Sequence, residues 1–234
     1  IRTRGGYMHA PGGEVFYAAV WTNDQCEYVI PFFPFLGYAT ANESAINTFR
    51  HFARFMNADY RPLPSSIIAE GTDIWNGAGD RGDAAMCANG AARYALARAD
   101  RTEAEELWPL VEWCLEYCRR NRTADGVVAS DSDELEGRFP VGRTNLATSA
   151  LYYDALLSAA ALGREIGVKP SQTNAYLRQA RELAAAIERF FGRDVAGYHA
   201  YRYSEINDKL RAWICRSLVG GLSERREGTV AALL

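Results

Sequence analysis

Asp125–Phe139, DGVVASDSDELEGRF, breaks a run of strongly helical sequence, and reading it as one long loop decides how the flanking segments are arranged. Before it, Leu107, Leu110, Val111, Cys114, Leu115 and Cys118 recur on one helical face. That spacing predicts a helix over 102–121, with Thr102 and Glu105 in capping-box positions. After it, an Ala- and Leu-rich stretch predicts a second helix over 143–167. Ordinary helix–helix connections are shorter than the stretch between them. Asp131, Asp133, Glu134 and Glu136 put four carboxylates into six residues, next to Arg138, Phe139 and Pro140. A helical protein that interrupts itself with an acidic, aromatic-flanked loop of this length is building a site there, and a positioned acid is what protonating a glycosidic oxygen requires.

Working outward, the helical pattern repeats. Ile46, Phe49, Phe52, Ala53 and Met56 make a stripe over 43–57, and small residues dominate a helical segment over 81–99, which suits close packing. Tyr176, Leu177, Ala180, Leu183, Ala184, Ile187 and Phe191 mark a helix over 171–191, with Ser171 as its cap after Pro170. A helix over 24–37 is kinked or shortened by Pro31 and Pro34, and another runs over 207–221. The segments pair as 24–37 with 43–57, 81–99 with 102–121, and 143–167 with 171–191. Links are short within a pair and roughly 20 residues between pairs, the mark of stacked helical hairpins whose long loops gather on one face. The expected class is therefore all-α, with short extended pieces at 66–69, 127–129 and 198–203 and an N-terminal loop feeding an extended segment that ends at Trp21. The apolar run at 229–234 reads as an element cut short.

The bulk properties exclude several partners. With 234 residues, a net charge of −3 and a pI near 5.7, nothing attracts nucleic acid or an anionic membrane. No apolar run reaches the ~18 residues of a membrane span, and the first residues are no signal sequence. Cys114 and Cys118 sit one turn apart, on the apolar stripe and far from His9, His51 and His199, so they read as buried thiols rather than metal ligands. No cofactor is expected; a Ca²⁺ held by loop carboxylates is the one metal reading left open.

Two further loops mix acids with aromatics. Trp21-Thr-Asn-Asp-Gln25 opens the first helix. Asn23 or Asp24 caps it in one reading; in the other, Trp21 stacks on a sugar ring while Asn23 and Asp24 hold hydroxyls. The second, from Ala69 to Asp83, carries Glu70, Asp73, Trp75, Asn76, Asp80 and Asp83 between glycines. Asp80 or Asp83 suits a helix cap, Arg81 pairs with a neighbouring acid, and at least one residue of the loop is expected in a ligand pocket. It lacks the Lys and Ser/Thr pattern of a phosphate cradle.

The order of these parts resembles the six-hairpin (α/α)6-toroid glycosidases: glucoamylase, trehalase and the glucosidase domain of glycogen-debranching enzyme. There a Trp-rich Arg-Asp segment opens an early helix and binds the non-reducing sugar; Trp21-Thr-Asn-Asp24 stands in that place, with Asn23 where Arg is expected. The general acid of that superfamily lies in the loop after the second complete hairpin, ahead of an Ala-Leu-aromatic-Tyr-x-Ala-Leu-like run. Asp133 to Phe139 followed by Ala150-Leu-Tyr-Tyr-Asp-Ala-Leu156 is similar in order and spacing. The resemblance thus marks Asp133 as the acid, with Glu134, Asp131 and Glu136 as neighbours that an ungapped comparison does not separate from it. Trp21, Asn23, Asp24, Asp73, Trp75, Asp80, Asp83 and Arg138 become the sugar-binding candidates. Gly79-Asp-Arg-Gly-Asp-Ala-Ala85 is similar to a motif of α-rhamnosidases of the same architecture.

The resemblance implies an inverting exo-glycosidase acting on a carbohydrate. A whole toroid has twelve helices against six or seven here, so residues 1–234 are read as the N-terminal half of one catalytic domain. The general base would then come from a late hairpin beyond residue 234, and the chain alone would be inactive. It would also expose an apolar face that the remainder of the toroid or a second copy covers. Two alternatives stand beside this: an epimerase or lyase on the same toroid, the lyase using the aromatic stretch Tyr198–Tyr203, and a helical-repeat scaffold that binds a partner on its loop face.

Overall fold

The computed structural model describes residues 1–11, 18–75, 77, 79–134, 140–222 and 224–234. Its α-helices are α1 (Phe33–Leu36), α2 (Ala39–Ala53), α3 (Asp83–Arg98), α4 (Arg101–Arg120), α5 (Leu146–Ile166), α6 (Pro170–Phe191), α7 (Arg216–Val219) and α8 (Arg226–Leu233). Three antiparallel two-stranded ribbons decorate the connections: β1 (Arg2–Thr3) with β2 (Gly6–Tyr7), β3 (Ala19–Trp21) with β4 (Ser66–Ile68), and β5 (Gly192–Val195) with β6 (Tyr198–Tyr201). The all-α class and the extended pieces near 66 and 198 are as the sequence predicts, whereas 127–129 contributes only the isolated bridges Arg122↔Val128 and Ala129↔Thr144. Among the described residues no helix is long and apolar enough to cross a membrane.

The helices form two layers. α3 and α5 pack on each other and are buried on nearly every side, since runs such as Ala84–Ala92 and Leu146–Tyr152 carry small or apolar residues all round. α2, α4 and α6 lie outside them. α4 and α6 bury one stripe each and turn Arg and Glu outward, as in the pairs Arg101–Glu105 and Arg119–Glu116. Short links fold α3 onto α4 and α5 onto α6 as antiparallel hairpins. The outer pair meets where Trp108 sets an edge against Tyr176, their ring centroids 6.2 Å apart.

Local chemistry corrects four boundaries. The helix expected over 24–37 is a π-helical segment at Asp24–Val29, a 3-10 turn at Ile30–Phe32, and only then α1. Pro31 and Pro34 have no N–H for a regular i→i−4 ladder, and wider and tighter turns take its place. The segment lies hard against α3 because Gly90 leaves room: a Cβ there would stand 2.7 Å from Cys26 Cα and closer still to its carbonyl oxygen. α4 is capped not by Thr102 but by Asp100, whose carboxylate accepts the Glu103 N–H at 3.1 Å. α6 starts at Pro170 behind Lys169, so Ser171 is inside the helix. The helix expected over 207–221 reduces to a 3-10 turn at Ala212–Cys215 followed by α7. The thiols of Cys26, Cys87, Cys114 and Cys118 are free and buried, as expected for Cys114 and Cys118.

The inner segments begin at Asp24, Asp83, Leu146 and Arg216, and hydrogen bonds between their flanking loops bring these starts to one end of the layer. The long connections therefore gather on one face, as the unequal loop lengths predict.

Candidate functional site

Asn145 fixes the central loop. Its side-chain oxygen caps α5 by accepting the Thr148 N–H at 2.8 Å, and its amide nitrogen donates to Ser130 Oγ at 3.0 Å and to the Ser132 carbonyl at 3.3 Å. The loop is tied at the same level to the Ala69–Asp83 connection, because Asp131 and Ser132 both donate backbone N–H groups to the Asp80 carbonyl, at 2.7 and 3.1 Å. With its entry held, the chain turns Asp133 and Glu134 inward, and both are buried.

Asp133 accepts the hydroxyl of Tyr203, itself fully buried at the end of the 192–203 connection. Burial and the carboxylates of Glu134 and Asp133 push the Tyr203 phenol far up, so it stays a donor. Glu134 meets Arg216 at the start of α7, Nε to Oε1 at 3.4 Å. The same guanidinium reaches Glu27 Oε1 with Nη2 at 2.7 Å and the Tyr28 hydroxyl at 2.7 Å. Only 1% of either glutamate side chain is exposed. Burial raises the carboxyls of both Glu27 and Glu134, and the charge of Glu134 raises Glu27 further. Asn23 does not cap the first helical segment; its amide crosses to the Glu134 carbonyl at 3.2 Å, joining the Trp21–Gln25 loop to the central one.

A second group adjoins the first. Thr22 hydrogen-bonds the Ser65 carbonyl, and Ser65 Oγ donates to Asp83 Oδ2 at 2.8 Å. Asp83 opens α3, where the helix dipole favours a carboxylate, yet full burial, helped by the charge of Asp80, pushes it up to about 7. Asp80 accepts the Tyr117 hydroxyl at 2.6 Å and the Gly82 N–H at 2.8 Å; burial raises it. Arg81, 1% exposed, lays its guanidinium over Trp21, 5.1 Å from the ring centroid.

Trp21, Asn23, Asp80, Asp83, Asp133 and Glu134 thus lie in one connected, largely buried network, with Asp24 opening the π-helical segment beside it. Asp131 is exposed; its carboxylate accepts the Asp80 N–H at 2.9 Å and borders a 370 Å³ cleft with Tyr60, Tyr117 and Arg143. Asp73 and Trp75 are exposed on the chain outside β4, Trp75 N–H bonding the Ser66 carbonyl one strand beyond Trp21. Glu136 and Arg138 lie outside the described residues. Glu27, Arg216 and Tyr203 complete the network, and the sequence reading gave the first two no part in it. Glu27 shares its short helical segment with Asp24 and carries no motif of its own, and its partner is 189 positions further along the chain.

Several buried polar atoms of this network have no hydrogen-bond partner among the described residues: Trp21 Nε1, Asn23 Oδ1, Glu27 Oε2, Arg81 Nε and Nη2, Asp83 Oδ1 and Glu134 Oε2. Native proteins pair nearly all such atoms with protein groups or water. The histidines, by contrast, are dispersed: His9 contacts Gln25, His51 the Ile68 carbonyl, and His199 Asp194.

No family model matches the chain, and no curated protein matches its sequence. Solved structures do resemble it. A GH78 family rhamnosidase of Bacillus sp. GL1 aligns over 91% of this chain and 22% of its own, with a TM-score of 0.69 at 13% identity. A bacterial glucoamylase complexed with acarbose aligns over 92% of this chain and 33% of its own, with a TM-score of 0.65 at 12% identity. Cellobiose 2-epimerase from Spirochaeta thermophila covers 92% of this chain and 58% of its own, with a TM-score of 0.57 at 15% identity. The chain spans less than two thirds of each. Glycosidases and a carbohydrate epimerase thus share its architecture, and what they have in common with it is the fold: helical hairpins of a partial (α/α)6 toroid.

Proposed function

We propose that the chain is the proton-donating part of a glycoside hydrolase and forms one wall of its sugar-binding site. The observation that carries this reading is the buried network at the helix starts, where carboxylates from three connections meet and several polar atoms lack partners among the described residues. A general acid must hold its proton near neutral pH, and burial of the carboxyl is the direct way to achieve that. Glu134 lies on the central loop with a raised carboxyl and one oxygen without a partner among the described residues, so this reading makes it the donor. Asp133, held by Tyr203, fixes the loop beside it. Trp21, Asn23, Asp24, Arg81 and Asp83 form the sugar-facing wall, where Trp21 Nε1, Asn23 Oδ1, Arg81 Nε and Nη2 and Asp83 Oδ1, without partners among the described residues, match a ring of hydroxyls.

Inverting hydrolysis also needs a base about 6.5–9.5 Å from the acid. The reading assigns that base outside the 234 residues, supported by the partial share of the solved structures that the chain spans. An epimerase of this architecture would rest on paired histidines, and the dispersal of His9, His51 and His199 speaks against it. The test is a titration of the chain with a panel of monosaccharides, followed by amide chemical shifts. A binding sugar should perturb Trp21, Asn23, Arg81 and Glu134 together. Perturbations confined to the cleft beside Asp131, or binding to no sugar of the panel, count against the reading.

A further inference from the structure

The Glu27–Arg216–Glu134 group has a charge imbalance built into its geometry. One guanidinium lies between two carboxylates, at 2.7 Å from Glu27 and 3.4 Å from Glu134, and both glutamate side chains are 1% exposed. The cation neutralises one carboxylate and leaves the other as an uncompensated buried charge, among the costliest arrangements in a protein interior. Among the described residues, Arg216 is the one cation that acts on both carboxyls. Asp24 and Asp83 add negative potential at Glu27, Asp133 adds it at Glu134, and the nearby Tyr28, Tyr203, Cys26 and Cys215 are neutral groups whose acid dissociation burial suppresses. Each glutamate also keeps one oxygen without a hydrogen-bond partner among the described residues, Glu27 Oε2 and Glu134 Oε2.

We propose that Arg216 joins Glu27 and Glu134 into a unit that holds one shared proton, making Glu27 the positioning residue that keeps Glu134 able to donate. The chemical role rests on the glycosidase reading; the proton count does not. Bound once, the proton leaves the group neutral, with one carboxylate paired to Arg216 and the other carboxyl uncharged. When Glu134 gives its proton away the group is left with one net negative charge, and a proton from solvent restores it. Glu27 sets the timing of this exchange through its charge and need not touch the substrate. Arg216 fixes the distance between the two acids, and Asn23, bonded to the Glu134 carbonyl, holds the backbone that carries the donor.

The test is a carboxyl-detected NMR titration of ¹³C-glutamate-labelled chain from pH 4 to 9, which needs no turnover. In the wild-type chain one proton of the Glu27–Glu134 pair should remain bound at pH 6 while exposed glutamates are ionised. Glu27→Gln should weaken proton binding at Glu134 by roughly tenfold or more, because the paired guanidinium then faces a single carboxylate. Arg216→Met should have the opposite effect and strengthen it. Complete ionisation of both carboxyls below pH 5 in the wild-type chain overturns the proposal even if a variant fails to fold, and so does an unmoved Glu134 titration in folded Glu27→Gln. The pH profile for hydrolysis by the intact protein separates the two claims. A shared proton together with full activity in Glu134→Gln upholds the unit and removes the glycosidase reading.

Discussion

At the scale of single residues the network is held by burial rather than by balanced charge. Asp83 illustrates the cost. Its carboxyl sits at about 7 in the folded chain against about 3.9 in an unstructured one, so folding takes up a proton across that interval. The stabilisation is complete below the unfolded value and is lost as pH rises through about 7. Asp80, Glu27 and Glu134 are raised in the same direction and add to the decline. Thermal unfolding followed from pH 4.5 to 8 should therefore show the melting temperature falling, and Asp83→Asn should flatten the fall by removing one of its contributions. A slope equal to that of the wild type would show that Asp83 is ionised throughout. Acids tolerated at such cost are the ones whose retention calls for a chemical reason.

At the scale of elements the determining feature is how closely the Asp24–Val29 segment approaches α3. Gly90 makes that approach possible, since any side chain there meets Cys26 backbone. Gly90→Ala should destabilise the chain by about 1–3 kcal/mol through overpacking, read from chemical denaturation. Gly77, whose added Cβ meets nothing within 4 Å, is the control: Gly77→Ala should stay within about 0.5 kcal/mol of wild type. Equal effects at the two positions would contradict the packing account. The sequence made the regular elements legible because α4 and α6 carry one-sided apolar stripes and α3 its small residues. It misjudged the segments where proline or irregular burial overrides periodicity, at 24–36 and 212–219. Asp133 and Glu134 were legible because four acids crowd a loop that helical periodicity cannot absorb. Glu27 and Arg216 were not, since each is an ordinary residue of a short helical segment and acquires its meaning only by meeting the other across 188 intervening residues.

At the scale of the whole molecule, two apolar edges flank the layers. Phe32, Phe35, Leu36 and Tyr38 stand exposed around α1, Phe35 at 75%, and Val219, Val230 and Leu233 are exposed on α7 and α8. Apolar surface grouped in this way favours association. The 234-residue chain should therefore sediment as more than a monomer at tens of micromolar, and Phe35→Ser with Leu36→Ser should shift it toward monomer without lowering its helix content. A wild-type chain that is monomeric at all concentrations would show that these edges bind nothing.

The central claim, that the connections between inner helices assemble a proton donor for glycosidic oxygen, is tested most directly by leaving-group dependence in the intact protein. Glu134→Gln should reduce kcat on glycosides with poor leaving groups by about 10²–10⁴-fold, while activated aryl glycosides, which need little protonation, are affected far less. Unchanged turnover of the poor leaving groups in that variant would contradict the account.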